Sequence, residues 1–279
     1  MIVITGATGT VGRPLLHTLA AQGAKLTAVA RHPAGLPDGV RPFAADLADL
    51  ETVRPALDGA DTLFLLLAGD LLVDAGDPDA LLKVVAAAGV RRVVLLSSQG
   101  ARTRPDAPSH ARLKAYEDAV TRTDLDWTLL RPGGFATNSY AWAPSVRAER
   151  LVAAPFGDVA LPVVVPADIT AVAAAVLTEP GHTGRAYELT GPTAVSPREQ
   201  AAALADALGE PVRFVELNRA EAKAAMTRFM PEPVAEGTLS ILGEPTDDER
   251  RVSPDIADVL GRPARSYAEW AAANVDAFR

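Results

Sequence analysis

The run Ile2-Val3-Ile4-Thr5-Gly6-Ala7-Thr8-Gly9-Thr10-Val11-Gly12 decides the fold of this chain. It reads as a short apolar strand, a turn with glycines spaced G-x-x-G-x-x-G, and the start of a helix. On that helix Val11, Leu15 and Leu19 recur at helical spacing until Gly23 closes it. Gly6 permits a sharp exit from the strand, Gly9 lets backbone N–H groups approach a phosphate, and Gly12 allows close helix-to-strand packing. The positive end of the helix dipole completes an anion site. A glycine pattern alone is a weak signal. On the first strand of a βαβ unit it specifies a dinucleotide, with the pyrophosphate cradled by Gly6, Thr8, Gly9, Thr10 and Val11.

Outward from this turn, short apolar runs alternate with amphipathic stretches as far as about residue 131, the pattern of repeated βα units. Strands are expected at Ile2 to Thr5, Leu26 to Ala30, Val40 to Phe43, Thr62 to Leu67, Arg92 to Ser97 and Trp127 to Leu130. Runs such as Leu63-Phe64-Leu65-Leu66-Leu67 are apolar on both faces, as strands covered by helices on each side must be. Leu81, Leu82, Val85 and Ala88 ahead of Gly89 mark one covering helix, and Leu113, Tyr116, Glu117 and Val120 another. The fold class is α/β, a Rossmann-type doubly wound parallel sheet over residues 1–134 with a smaller C-terminal α+β substrate lobe over 135–279.

The rhythm changes after Arg131-Pro132, where Pro, Gly and aromatics become frequent and elements shorten. Helices are expected there at Ala167 to Leu177, Pro197 to Leu208, Arg219 to Phe229 and Tyr267 to Ala277. Strands are expected near Val159 to Val165, Ala186 to Leu189 and Val212 to Leu217, and parts of this lobe return to the sheet. The chain has 279 residues, 48% of them hydrophobic, and a net charge of −8, which disfavours nucleic acid as a partner. No run approaches the ~20 apolar residues of a membrane span, and the N-terminal run lacks the basic leader of a signal peptide. With no cysteine, thiol chemistry is excluded and a cytoplasmic, membrane-free protein, monomer or homodimer, is expected.

The second expected strand ends Ala28-Val29-Ala30-Arg31-His32-Pro33, and no Asp or Glu occurs between Gly23 and Asp38 to bond a ribose 2′-hydroxyl. Arg31 offers a guanidinium to a 2′-phosphate, so NADPH is favoured over NADH; a solvated arginine is the plainer alternative. Asp46 could face the adenine amino group with Leu47 packed beside the ring, or cap the helix that begins near Asp49.

These residues resemble the NmrA-like group of atypical short-chain dehydrogenases/reductases, which includes NAD(P)H-dependent quinone oxidoreductases. The likeness is carried by Thr5 to Gly12, Arg31, Asp46-Leu47, Ser97-Ser98, Trp127-Thr128-Leu129-Leu130-Arg131-Pro132-Gly133 and Phe135-Ala136-Thr137-Asn138. The resemblance implies that backbone near Leu67, Ala68 and Ser97 lines the ribose and nicotinamide, and that Pro132, Gly133 and Phe135 cover the nicotinamide side. One feature departs from the superfamily, which usually protonates substrate with a Tyr followed four residues later by Lys. Here Val120, Pro144, Gly191 and Ala271 follow Tyr116, Tyr140, Tyr187 and Tyr267.

His110 and Lys114, one helical turn apart, could form a substitute acid with a cofactor anchor, or simply a polar helix face. Ser98, at the end of the fifth strand, could orient a carbonyl or cap the chain. Phe135, Tyr140 and Trp142 fall within eight residues of a chain only 5% aromatic, and with Asn138 they suit a flat aromatic substrate; core packing or a dimer contact suits them as well. Phe156 could close the same pocket. No G-x-S-x-G elbow, metal-ligand spacing of the four histidines or ATP-binding loop is present. The expected activity is NADPH-dependent hydride transfer to a quinone or conjugated aromatic carbonyl, with aromatic polyketide tailoring as one setting. The alternative is an NADP(H)-sensing binding protein without catalysis, as the NmrA likeness implies.

Overall fold

Ile2–Thr5 (β1) forms the strand on which the glycine turn hangs, and it lies in the interior of the sheet with a parallel strand on each side. The computed structural model describes residues 1–67 and 76–279. Seven strands form one sheet in the order β3-β2-β1-β4-β5-β6-β8, with β2 Leu26–Ala30, β3 Arg41–Ala44, β4 Thr62–Leu66, β5 Arg92–Leu96, β6 Asp126–Pro132 and β8 Arg185–Leu189. β1 to β6 pair in parallel, with Ile2 opposite both Leu26 and Thr62, and Leu95 opposite Leu129. The strand order reverses between β1 and β4, the topological switch point at which doubly wound sheets bind ligands.

The covering helices follow the expected periodicity. Gly12–Ala21 buries Leu15, Leu16 and Leu19 completely, each worth ~1.5–3 kcal/mol. Pro78–Ala87 buries Leu81, Leu82 and Val85, and Ala111–Thr121 buries Leu113, Tyr116, Glu117, Ala119 and Val120. The apolar residues of these last two helices form one continuous core with Val3, Leu63, Leu65, Val93, Leu95 and Leu129.

The chain divides into two compact units. The first comprises residues 1–106, 110–132 and 167–188; the helix Pro166–Thr178 and β8 thus supply its last elements. The second comprises 107–109, 133–166 and 189–279. It contains a two-stranded parallel sheet of β7 (Leu151–Pro155) and β9 (Arg213–Leu217) and a core of Val146, Val152, Leu204, Tyr267, Trp270 and Phe278.

Several expectations in the second unit change. The run Val159 to Val165 is not a strand but makes only isolated bridges, Leu161 to Val195 and Phe135 to Val164, because Pro162 interrupts its ladder donors. Helix Arg219–Met226 ends before Phe229, and Tyr267–Ala273 gives way to a 3-10 turn, Val275–Phe278. β7 and the helices Ala143–Glu149 and Glu232–Gly243 were not expected; the latter carries Pro in its first turn and a central Gly237, which mask its period.

Candidate cofactor and active site

The glycine turn closes on itself. Gly6 adopts φ +60°, and the Gly9 N–H donates to the Gly6 carbonyl at 3.0 Å. A Cβ at Gly12 would lie 2.3 Å from that same carbonyl oxygen, so no side chain fits there without moving backbone. Thr5 ties the end of β1 to β4: its Oγ1 accepts the Leu66 N–H at 2.8 Å and donates to the Leu66 carbonyl at 3.0 Å. The helix Gly12–Ala21 begins with neither a side-chain cap nor an acidic residue in its first turn. By contrast, Asp49, Asp77, Ser98 and Ser196 each cap the helix they precede. No side chain therefore competes with an anion for the start of this helix and its dipole.

The remaining cofactor candidates of this unit follow the C-terminal ends of neighbouring parallel strands. Arg31 is exposed just past β2. Asp46 accepts the Ala48 N–H in the loop after β3, and the cap of the helix Leu50–Val53 is Asp49 rather than Asp46. Leu47 packs against the main core, and Leu67 is buried beyond β4. Ala68 lies outside the described residues. Ser97 is the informative position. It is 6% exposed just past β5, its N–H donates to the Leu130 carbonyl, and its Oγ has no hydrogen-bond partner among the described residues. A buried orphan hydroxyl costs ~1–3 kcal/mol, which a polar cofactor group at this edge would offset. The turn, the uncapped helix and this hydroxyl together fit a dinucleotide.

Ser98 accepts the Gly100 N–H at 3.1 Å and caps the helix Gln99–Thr103, leaving its proton to donate. His110 is the residue before the helix Ala111–Thr121, and its ring lies against Gly100, where a Cβ would stand 2.3 Å from it. Lys114 pairs with Asp118 on its own helix. The expected His–Lys pair is therefore divided between a packed ring and a surface ion pair.

In the second unit, Gly133 donates to the Leu189 carbonyl, and Phe135 bridges Val164 ahead of the 3-10 helix Ala136–Trp142. Asn138 is exposed and Trp142 packs partly against the core. Tyr140 lies on Trp270 and Phe278 at ring distances of 5.3 and 5.9 Å, so the aromatic run is at least partly core. Phe156 holds a left-handed backbone, φ +54°, with its ring on Gly243. A bulky residue there is strained by about 1–3 kcal/mol.

A family described as NAD(P)H-binding matches residues 6–180. The chain belongs to this NAD(P)H-binding family. It is similar over its full length to a (4-alkanoyl-5-oxo-2,5-dihydrofuran-3-yl)methyl phosphate reductase of Streptomyces griseus, 38% identical and covering 99% of that protein. An NAD(P)H azoreductase of Xenophilus azovorans is 35% identical over 100% of this chain and 99% of its own. Among solved structures, the Escherichia coli NADPH-dependent quinone oxidoreductase complexed with NADPH superposes with a TM-score of 0.84 at 27% identity, covering 98% of this chain and 99% of that one. As a member of the family, the chain is an NAD(P)H-dependent oxidoreductase.

For such an oxidoreductase the location of every tyrosine matters, and the structure gives all four. Tyr140 donates to Asn274 Oδ1 and Tyr267 to Ser139 Oγ, each at 2.7 Å; Tyr187 Oη meets His182 Nδ1 at 2.7 Å. Tyr116 is buried on its helix face. Burial raises the phenol pKa of Tyr116 and Tyr140, and that of Tyr267 far more. None is followed four residues later by a lysine.

A cluster that sequence reasoning missed links the elements around this edge. Arg131 binds Glu117 through both carboxylate oxygens, at 2.9 and 2.7 Å, and reaches Glu188 Oε1 at 3.5 Å; Arg102 Nε donates to the same oxygen at 2.8 Å. Burial raises the Glu188 pKa against the pull of both arginines. Burial works against the Arg131 charge, but the hydrogen bonds and negative charges of Glu117 and Glu188 together more than offset it, and its pKa is raised. The signal was available: Glu117 lies among Leu113, Tyr116 and Val120 on the apolar face, where a carboxylate requires a partner.

Proposed function

We propose that the chain is an NADPH-dependent reductase acting on a conjugated, electron-poor acceptor, foremost a quinone or related aromatic carbonyl. Bound NADPH supplies the hydride. The observation that carries the reading is the commitment of every tyrosine to another partner or to the core, which leaves no Tyr–Lys acid. Isolated ketones need such an acid, whereas a quinone or extended enone spreads the incoming charge and takes its proton from water. The substrates for which the relatives are named, an alkanoyl-dihydrofuranone, an azo compound and a quinone, share that conjugation. A setting in aromatic polyketide tailoring follows from family resemblance alone.

Within this reading, Gly6, Thr8, Gly9, Thr10 and Val11 hold the pyrophosphate. Arg31 binds the 2′-phosphate, making NADPH the preferred cofactor over NADH. Asp46 and Leu47 face the adenine, and Leu67, Ser97, Pro132, Gly133 and Phe135 line the ribose and nicotinamide. Ser98 orients the acceptor; Asn138, Trp142 and Phe156 bind it. The test is NADPH oxidation by flavin-free protein across quinones and conjugated ketones, with deuterium at the transferable position. A primary isotope effect or deuterium in a carbon-reduced product supports the reading. The missing acid also favours a second reading, an NADP(H)-sensing protein, which replaces the first if NADPH binds tightly yet every acceptor leaves it unoxidised.

A further inference from the structure

Arg13 is the second residue of the helix that follows the glycine turn, and its side chain leaves that helix for the loop beyond β2. Its Nη1 donates to the Gly35 carbonyl at 3.1 Å. The fit is close: a Cβ at Gly35 would stand 2.8 Å from Nη1, and Gly35 itself is at φ +65°. Gly35 is four residues beyond Arg31. Arg13, Arg31 and the intervening loop are exposed, and neither arginine pairs with a carboxylate among the described residues. One guanidinium N–H serves Gly35, which leaves the rest of the five-donor fork uncommitted to any protein group described.

The placement is specific to the nucleotide's chemistry. The N-terminus of the helix Gly12–Ala21 holds a pyrophosphate, and the end of β2 is where the adenosine ribose lies in doubly wound sheets. A cation rooted on the former and anchored on the loop of the latter spans these two positions. In a chain of net charge −8, two uncompensated arginines at this edge form a local anion-attracting field.

We infer that Arg13 is a second specificity-determining residue, acting with Arg31 to hold the 2′-phosphate of NADPH while its bond to Gly35 fixes the loop that presents Arg31. This inference rests on the proposed NADPH preference. Loss of one of two charge-assisted contacts to a phosphate weakens binding by roughly tenfold to a hundredfold.

The experiment measures affinity, without turnover, for two probes that differ only in the 2′-phosphate: 2′,5′-ADP and 5′-AMP, titrated calorimetrically into wild type, Arg13→Ala, Arg13→Lys and Arg31→Ala. Because Arg13 is exposed and makes one backbone bond, its replacement leaves the fold intact, which circular dichroism checks. The expected result is a loss of ~10-fold or more for 2′,5′-ADP in Arg13→Ala, with 5′-AMP unchanged within about twofold and partial recovery in Arg13→Lys. Equal losses for both probes would show that Arg13 does not act on the 2′-phosphate and overturn the inference. So would an unchanged 2′,5′-ADP affinity in Arg13→Ala beside a loss in Arg31→Ala, which leaves the NADPH reading standing. If wild type itself binds both probes equally, the NADPH preference fails first and this inference with it.

Discussion

The glycine turn and the helix carrying His110 and Lys114 belong to the same unit, yet they are made of opposite materials. The turn works through backbone: Gly9 N–H on Gly6, uncapped N–H groups at the helix start, and a carbonyl that forbids a Cβ at position 12. Its function follows from side chains that are missing, so spacing alone discloses it. The helix works through side chains, and what each does is decided by a partner distant in sequence or a turn away. His110 is packed on Gly100, Lys114 is taken by Asp118, and the unheralded Glu117 binds Arg131. Backbone sites are legible from sequence; side-chain sites require knowing the neighbours.

The largest effect should come from breaking the backbone site. Gly12→Val drives Cβ into the Gly6 carbonyl and should abolish measurable NADPH binding by calorimetry, a loss of at least ~100-fold. Retention of affinity within tenfold would show that the turn does not rely on its backbone contact. Next is the helix face itself. Glu117→Leu leaves Arg131 without its two-pronged partner and should cost ~3–5 kcal/mol, seen as a fall in Tm of roughly 6–20 °C. Lys114→Ala, removing an exposed i,i+4 pair, should lose no more than ~1 kcal/mol. Comparable shifts for the two would erase the distinction between buried and surface polar groups on this helix.

Trp142→Ala should raise KM for a quinone several-fold, about 1 kcal/mol or more, with KM for NADPH little changed; the reverse pattern would move Trp142 out of the acceptor side. The smallest effect is expected for His110→Ala, a fall in kcat of less than ~10-fold. A fall of ~1000-fold with NADPH affinity intact would instead make His110 the acid.

What the sequence made legible tracks how locally each element is determined. β1, β2 and the helix Pro197–Leu208 begin and end where the residues alone put them, since their apolar period and caps are contiguous. The sheet edge was legible too, because Ser97 and Ser98 directly follow β5 and Pro132 ends β6, both strands of strong β character. In the second unit the signals are nonlocal. Tyr140, read beside Phe135 and Trp142, spends its ring on Trp270 and Phe278, which lie some 130 residues away in sequence. Phe156 carried no sign of a left-handed backbone, since only its packing on Gly243 reveals the constraint.

The small β7–β9 ladder has a consequence for how the chain comes to be folded. Leu151 faces Arg213 in a parallel pair, so the strands cannot be joined by a tight turn, and about sixty residues must be threaded before the first ladder bond forms. β1 meets β4 over a similar span, but it has β2 alongside from a much shorter excursion. β7 has no such early neighbour, because the chain between it and β9 is occupied with the helix Pro166–Thr178, β8 and the helix Pro197–Leu208. The ordering entropy of this ladder is therefore met late, by elements already in place. Pulse-labelled hydrogen exchange should find the amides of Val152 to Ala154 gaining protection after those of Val3 and Ile4. The last apolar surface to leave water during refolding should then be that of the second unit, which makes this region the one most exposed to aggregation on the way to the native state.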